Sequence, residues 1–238
     1  ITRRESDTTA DGHFDTVSVF ANGSEATRTR DEDADGTAEI VAQIDASGQI
    51  VREDIDREDN GQVDLVRFYE NGQRVREEED RDTNGKAEIV THFEGDQPVR
   101  RQADSTGDGR LDTQVLLEGG KKRQQEEDRN ADGQVDAVYV FDGDEKISEE
   151  RIDTDFDGRF ESLARYENGI LATRSLSPVR DEISERVEFF ENGRLARVEL
   201  DEDEDGKTET WNFYDEDGRL MRQQSDTTSD GQRDRWIE

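Results

Sequence analysis

The chain has 238 residues, of which 29 % are hydrophobic and 40 % charged, with a formal net charge of −32. That length suits one or two domains, but so little apolar side chain cannot build an ordinary core, and no stretch approaches a membrane-spanning helix. An acidic surface of this kind repels nucleic acid and anionic membranes and attracts cations, and the lack of cysteine excludes disulfides and thiolate metal sites.

Aromatic and β-branched residues recur in short runs, and the chain repeats itself every 24 or 25 residues. Ten units begin at Asp7, Asp31, Asp56, Asp80, Asp104, Asp128, Asp153, Ser177, Asp201 and Asp226, leaving no room for a second domain. Each opens on an acidic loop such as "DEDADGTAE" and continues into an apolar run such as "LVRFY" (Leu65 to Tyr69). A tight-turn signal follows: "ANG" at Ala21, "ENG" at Glu70, Glu167 and Glu191, "EDG" at Glu216. Then comes a more polar run such as "RLARVEL". Asn-Gly suits a type I′ turn because both residues tolerate positive φ, and runs of about seven residues fit strands better than helices. Each unit therefore reads as a β-hairpin. The fold class is all-β: one elongated array over residues 1–238 in which antiparallel hairpins pack on their neighbours and acidic loops link them.

Unit position 14 is apolar or aromatic from Phe20 to Tyr214, and position 11 is apolar in all units but one, from Val17 to Trp236. Their parity is opposite, so either both sheet faces are covered or a bulge brings the two rows together. The returning strand adds Val75, Val99, Leu171, Leu195 and Leu220.

The loops have the ligand spacing of a calcium cage. Positions 1, 3 and 5 curl around one point, glycine at position 6 permits the bend, and an acid at position 9 closes the shell. The first loop offers Asp7, Thr9, Asp11 and Asp15; the second Asp31, Asp33, Asp35 and Glu39; the third Asp56, Glu58, Asn60 and Asp64. Next come Asp80, Asp82, Asn84 and Glu88, then Asp104, Thr106, Asp108 and Asp112, then Asp128, Asn130, Asp132 and Asp136. The seventh has Asp153, Asp155, Asp157 and Glu161, the ninth Asp201, Asp203, Asp205 and Glu209, and the tenth Asp226, Thr228, Asp230 and Asp234. Position 9 is acidic in all ten units, improbable by chance at about one in a million. A plain turn needs only Asn-Gly, which the other end of each hairpin already uses.

These loops resemble the DxDxDG calcium loops of dockerins and thrombospondin type 3 repeats, and most closely the DxDxDGxxD hairpin loops of integrin-type β-propellers. The hairpin period resembles bacterial MORN-type repeats. EF-hand closure fails, because position 12 is a glutamate only at Glu188, in the eighth unit, and elsewhere is a residue such as Ser18, Ala42 or Arg67. The resemblance implies Ca²⁺ at about nine sites; by carboxylate count the loops starting at Asp31, Asp153 and Asp201 are expected to be strongest and those where Thr9, Thr106 or Thr228 replaces an acid weaker. The eighth loop, Ser177 to Glu185, lacks the first and third ligands and the glycine; it is expected to be a metal-free link stiffened by Pro178 and neutralised by Arg180.

His13 and His92 do not recur, and no nucleophile–base pair or phosphate loop stands out, so no enzyme is expected. The chain starts in the end of a second strand and stops in a first strand, as a segment of a longer repeat protein would. Ends that paired would close a ring within one chain or build a fibre between chains. The expected role is a calcium-stiffened spacer, layer or filament outside the cytoplasm, at the cell surface or in the periplasm, with itself or another surface protein as partner. The alternative is an adhesin-like or accessory module presenting one face to a protein or glycan.

Overall fold

A computed structural model describes residues 2–177 and 185–238. The described residues contain twenty strands and no helix. Most of the eighth loop, with Pro178 and Arg180, lies outside them. The chain forms two compact units, Ile1–Gly120 and Lys121–Glu238.

The first unit holds β1 (Thr2–Ser6), β2 (Thr16–Ala21), β3 (Ser24–Arg30), β4 (Ile40–Ile44), β5 (Ile50–Ile55), β6 (Leu65–Glu70), β7 (Gln73–Glu79), β8 (Ile89–Glu94), β9 (Gln97–Ala103) and β10 (Thr113–Glu118). Each pairs antiparallel with the next. The second unit holds β11 (Lys121–Glu127), β12 (Ala137–Phe141), β13 (Ile147–Ile152), β14 (Ser162–Glu167), β15 (Ile170–Leu176), β16 (Arg186–Glu191), β17 (Arg194–Leu200), β18 (Thr210–Tyr214), β19 (Leu220–Ser225) and β20 (Arg235–Ile237). It follows the same meander.

Asn22-Gly23, Asn71-Gly72, Asn168-Gly169 and Asn192-Gly193 all have positive φ, so these hairpins close with type I′ turns as their sequence predicts. Three hairpins close differently. In the last, Gly218 N–H donates to the Asp215 carbonyl at 3.0 Å and Asp215 N–H to the Arg219 carbonyl at 2.9 Å. The turn signal read at Glu216 is thus the middle of a wider turn. Asp215 also accepts from the amides of Asp217 and Arg219. Asp45 and Asp142 organise their turns in the same way.

The register slips by one residue just before position 14, as between Val19 and Phe20 or Phe189 and Phe190. The extra residue is on the returning strand, Ala26 and Ala196 in these two cases. The bulge therefore leaves positions 11 and 14 on opposite faces. Both are half-buried or buried from Val17 to Tyr214, so both faces are covered. Arginine stems help to cover them. Arg76 lies 4.2 Å from the centroid of the Phe68 ring opposite, and Arg197 3.9 Å from that of Phe189. Of the returning-strand apolar residues, Leu220 is exposed.

The deepest burial is at the loop ends of the strands. Position 10 supplies Leu65, Ile89 and Ala137, joined by Ile55, Ala164 and Val198, all buried. Sequence reading singled out positions 11 and 14; position 10, next to the closing acid, is the better-buried row. Its mixture of Leu, Ile, Ala, Ser, Thr and, at Arg186 and Arg235, arginine carries no simple apolar signal.

Candidate metal centres

Every described loop is folded by its own acids. The first aspartate accepts the N–H of the sixth-position glycine through Oδ2, from Gly12 to Asp7 at 2.9 Å through to Gly231 to Asp226 at 2.6 Å. The fifth residue accepts the seventh N–H, as Asp35 does from Thr37 at 2.7 Å and Asn84 from Lys86 at 2.9 Å. The closing acid accepts the second N–H, as Asp15 does from Thr8 at 2.7 Å, Glu88 from Arg81 at 2.6 Å and Glu209 from Glu202 at 2.7 Å. The spacing of the acids thus follows from the backbone groups they satisfy.

The chain turns sharply at the fourth and sixth positions. Glycine at the sixth has φ between 82° and 97°, as at Gly61 and Gly36. The fourth residue is also left-handed, at Ala10, Ala34, Asp59, Thr83, Ala131, Phe156, Glu204 and Ser229 with φ of 52–64°, and at Gly107. Sequence reading missed this position. Only Gly107 there carries the residue type that would reveal it.

Burial separates the acids into two kinds. Asp56, Asp153, Asp201 and Asp226 at the first position and Asp15, Asp64, Asp112 and Asp136 at the closing position are buried. The third and fifth residues are exposed to solvent in all nine described loops.

Carboxylate oxygens converge within 4.8 Å of one another in four loops: Asp31, Asp33, Asp35 and Glu39; Asp80, Asp82 and Glu88; Asp153, Asp155, Asp157 and Glu161; Asp201, Asp203, Asp205 and Glu209. These include all three loops expected to be strongest. The other five predicted sets do not gather three acids. In the loops with threonine at position 3, the hydroxyl of Thr9, Thr106 or Thr228 turns back onto the first aspartate at 3.3–3.4 Å. In the third loop Arg57 Nε meets the closing Asp64 at 2.5 Å, so a guanidinium already balances that acid. In the sixth, the Asn130 side-chain amide bonds Asp132 at 3.0 Å.

The residues fit a cation. Oε1 of Glu39, Oδ1 of Asp128, Oδ1 of Asp201 and Oε1 of Glu209 are buried with no hydrogen-bond partner. A buried carboxylate oxygen left bare costs free energy, of about 1–3 kcal/mol or more for a charged group, which a bound ion would remove. Burial raises the Glu209 carboxyl, the Glu202 amide opposes this, and the charges of Asp203, Asp201 and Asp205 raise it further. Asp15 is held far below the usual carboxylate range, first by the Thr8 hydroxyl, against burial, with help from Thr16 and the amides of Thr8 and Thr9.

Successive loops are joined directly. Within each compact unit the first residue of a loop donates its N–H to the carbonyl of the closing acid before it, as Asp31 does to Asp15, Asp56 to Glu39, Asp80 to Asp64, Asp153 to Asp136 and Asp226 to Glu209, all at 2.7–2.9 Å. Neighbouring loops in a unit therefore stand two strands apart, about 10 Å at the usual strand spacing.

Fold and loops together define an all-β hairpin repeat with acidic clusters able to hold metal. No protein-family model and no curated protein matches the sequence. Among solved structures, accessory secretory protein 1,2 and 3 of Streptococcus pneumoniae is 19 % identical over 37 % of this chain and 17 % of that one, with a TM-score of 0.32. The TarM protein of S. aureus is 13 % identical over 48 % and 20 %, with a TM-score of 0.24. The TcdB2-TccC3 structure is 16 % identical over 92 % and 14 %, with a TM-score of 0.24. The chain spans a fifth or less of each, and such scores carry no function across.

Proposed function

We propose that the chain is a non-enzymatic calcium-binding structural repeat, whose loops take Ca²⁺ at about nine sites and stiffen as they do so. The observation that carries this reading is the set of bare, buried carboxylate oxygens of Glu39, Asp128, Asp201 and Glu209. Hard oxygen donors without imidazole or thiolate favour calcium or magnesium, and crowded carboxylates on a bent loop suit the larger, more tolerant ion. Nine divalent ions would offset more than half of the net charge of −32. Such sites fill where calcium is plentiful, which favours the cell surface, the extracellular space or the periplasm, with the chain as spacer, layer or filament. Equilibrium dialysis against calcium with magnesium in excess tests this: several calcium ions should be retained per chain. Retention of none, or displacement of all by magnesium, would overturn it.

A second reading, a module that presents one face to a protein or glycan, is favoured by the exposed eighth-position residues. Phe14, Val63, Leu111, Val135 and Phe160, of the first, third, fifth, sixth and seventh loops, are 64, 44, 38, 37 and 40 % exposed.

A further inference from the structure

Two cavities of about 340 and 380 Å³ open beside the loops of the first compact unit. The first lies among Arg3, Glu5, Phe14, Asp15, Val17 and Ala38, the second among Arg52, Asp54, Val63, Asp64, Val66 and Ala87. All nine residues lining the one have a counterpart 49 positions on in the other. Each has an apolar wall, made by the exposed Phe14 or Val63 with the valine of the following strand. The alanine of the next loop, Ala38 or Ala87, is too short to fill the space. Each also holds an arginine paired to the acid two residues on, Arg3 with Glu5 and Arg52 with Asp54, both at 2.7 Å. One arginine is set against three acids in the first cavity and four in the second. At the joint between them the pattern breaks: Thr27 and Thr29 replace the arginine and its acid, and small Ala38 precedes large Val63.

We propose that the two cavities dock a single extended basic segment of a partner protein, with one long cationic side chain entering each. This names the partner of the second reading above and rests on it. Surplus carboxylate in a chain of net charge −32 selects a cation and repels an acidic glycan. The apolar wall suits a side chain with a hydrocarbon stem and a charged tip, as lysine and arginine have, and an exposed ring such as Phe14 also attracts a guanidinium. The cavities stand four strands apart, about 19 Å at the usual spacing, which an extended chain covers in about six residues. Six is even, so both side chains point to the same side of the segment.

Fluorescence anisotropy of labelled threonine–serine peptides, titrated with the full chain in calcium, tests this. A peptide with arginines six residues apart should bind about a hundredfold tighter than one with a single arginine, because its second contact is intramolecular. Arginines three residues apart point to opposite sides and should gain little. Phe14→Ser should bring the six-residue peptide down to the single-arginine level, whereas Ile170→Ser, at an exposed apolar residue of the second unit, should leave it unchanged. Both side chains are exposed, so neither change threatens the fold. Equal affinity for the two spacings would reduce the binding to attraction by net charge and overturn the inference, as would equal effects of the two substitutions. Chitohexaose bound in preference to every peptide would overturn it while leaving the second reading in place. A chain that binds neither peptide nor oligosaccharide loses both, and calcium uptake by the same samples tests the metal sites separately.

Discussion

The amide of Asp56 donates to the carbonyl of Glu39 across 2.8 Å, so the acid that closes the second loop and the acid that opens the third share a backbone hydrogen bond. An ion that fixes Glu39 fixes the carbonyl on which Asp56 hangs. The Asp56 amide is therefore expected to exchange its proton more slowly in calcium than in chelator, by about tenfold for each 1.4 kcal/mol of added local stability. Unchanged exchange in a calcium-loaded sample would show that the joint does not respond to its ion.

Loop conformation depends on glycine at position 6. Gly36 has φ of 97°, and a methyl group there would touch nothing within 4 Å, so Gly36→Ala isolates backbone strain. A loss of about 1–2 kcal/mol is expected in urea denaturation. Gly158→Ala should cost about the same, because the group its new methyl would meet at 2.7 Å is the exposed end of the Gln134 side chain, which can swing aside. A much larger loss at Gly158 would contradict this packing.

Val198 is fully buried in β17. In a chain with so few apolar residues, Val198→Ala should destabilise the second unit by about 2 kcal/mol, through lost transfer energy and an unfilled cavity. A shift in the urea midpoint within error of zero would place the stabilising contacts elsewhere.

Much of this was legible in the sequence. The hairpin period, the Asn-Gly turns and the acid at position 9 are local signals that each unit states again, and repetition lifts them above chance. What escaped was set by backbone geometry or by context. The left-handed fourth position is hidden because residues as different as Ala34, Thr83, Phe156 and Glu204 occupy it, each held by the bonds around it. The wider turn at Asp215–Arg219 escaped because its Asp-Gly pair resembles a two-residue turn; what decides is the carboxylate of Asp215 one step earlier. The failure of the third loop to gather its acids came from Arg57, a residue between ligands that a ligand-spacing pattern ignores.

The pH response of the chelated chain should have two opposing parts. The folded pKa of Glu209 is raised above its ordinary 4.5, through burial and then neighbouring charge, so its ionised form is destabilising and the penalty fades as pH falls through that raised value. Asp15 is lowered below its ordinary 3.8, chiefly by the Thr8 hydroxyl, so its contribution is present above 3.8 and lost as pH falls through the lower folded value. Carboxyl carbon resonances should show Glu209 titrating well above Asp15. The reverse order would contradict the loop geometry. Calcium should pull the Glu209 midpoint down.

The central claim is that divalent ions, by neutralising the crowded loops, let hairpins with little apolar surface hold their shape. Far-ultraviolet circular dichroism during heating, at low ionic strength, in calcium and then in chelator, tests it most directly. The account predicts strong strand signal and a high melting temperature with calcium, and loss of most of that signal when the ion is removed. The same spectrum and the same melting temperature in both would contradict it.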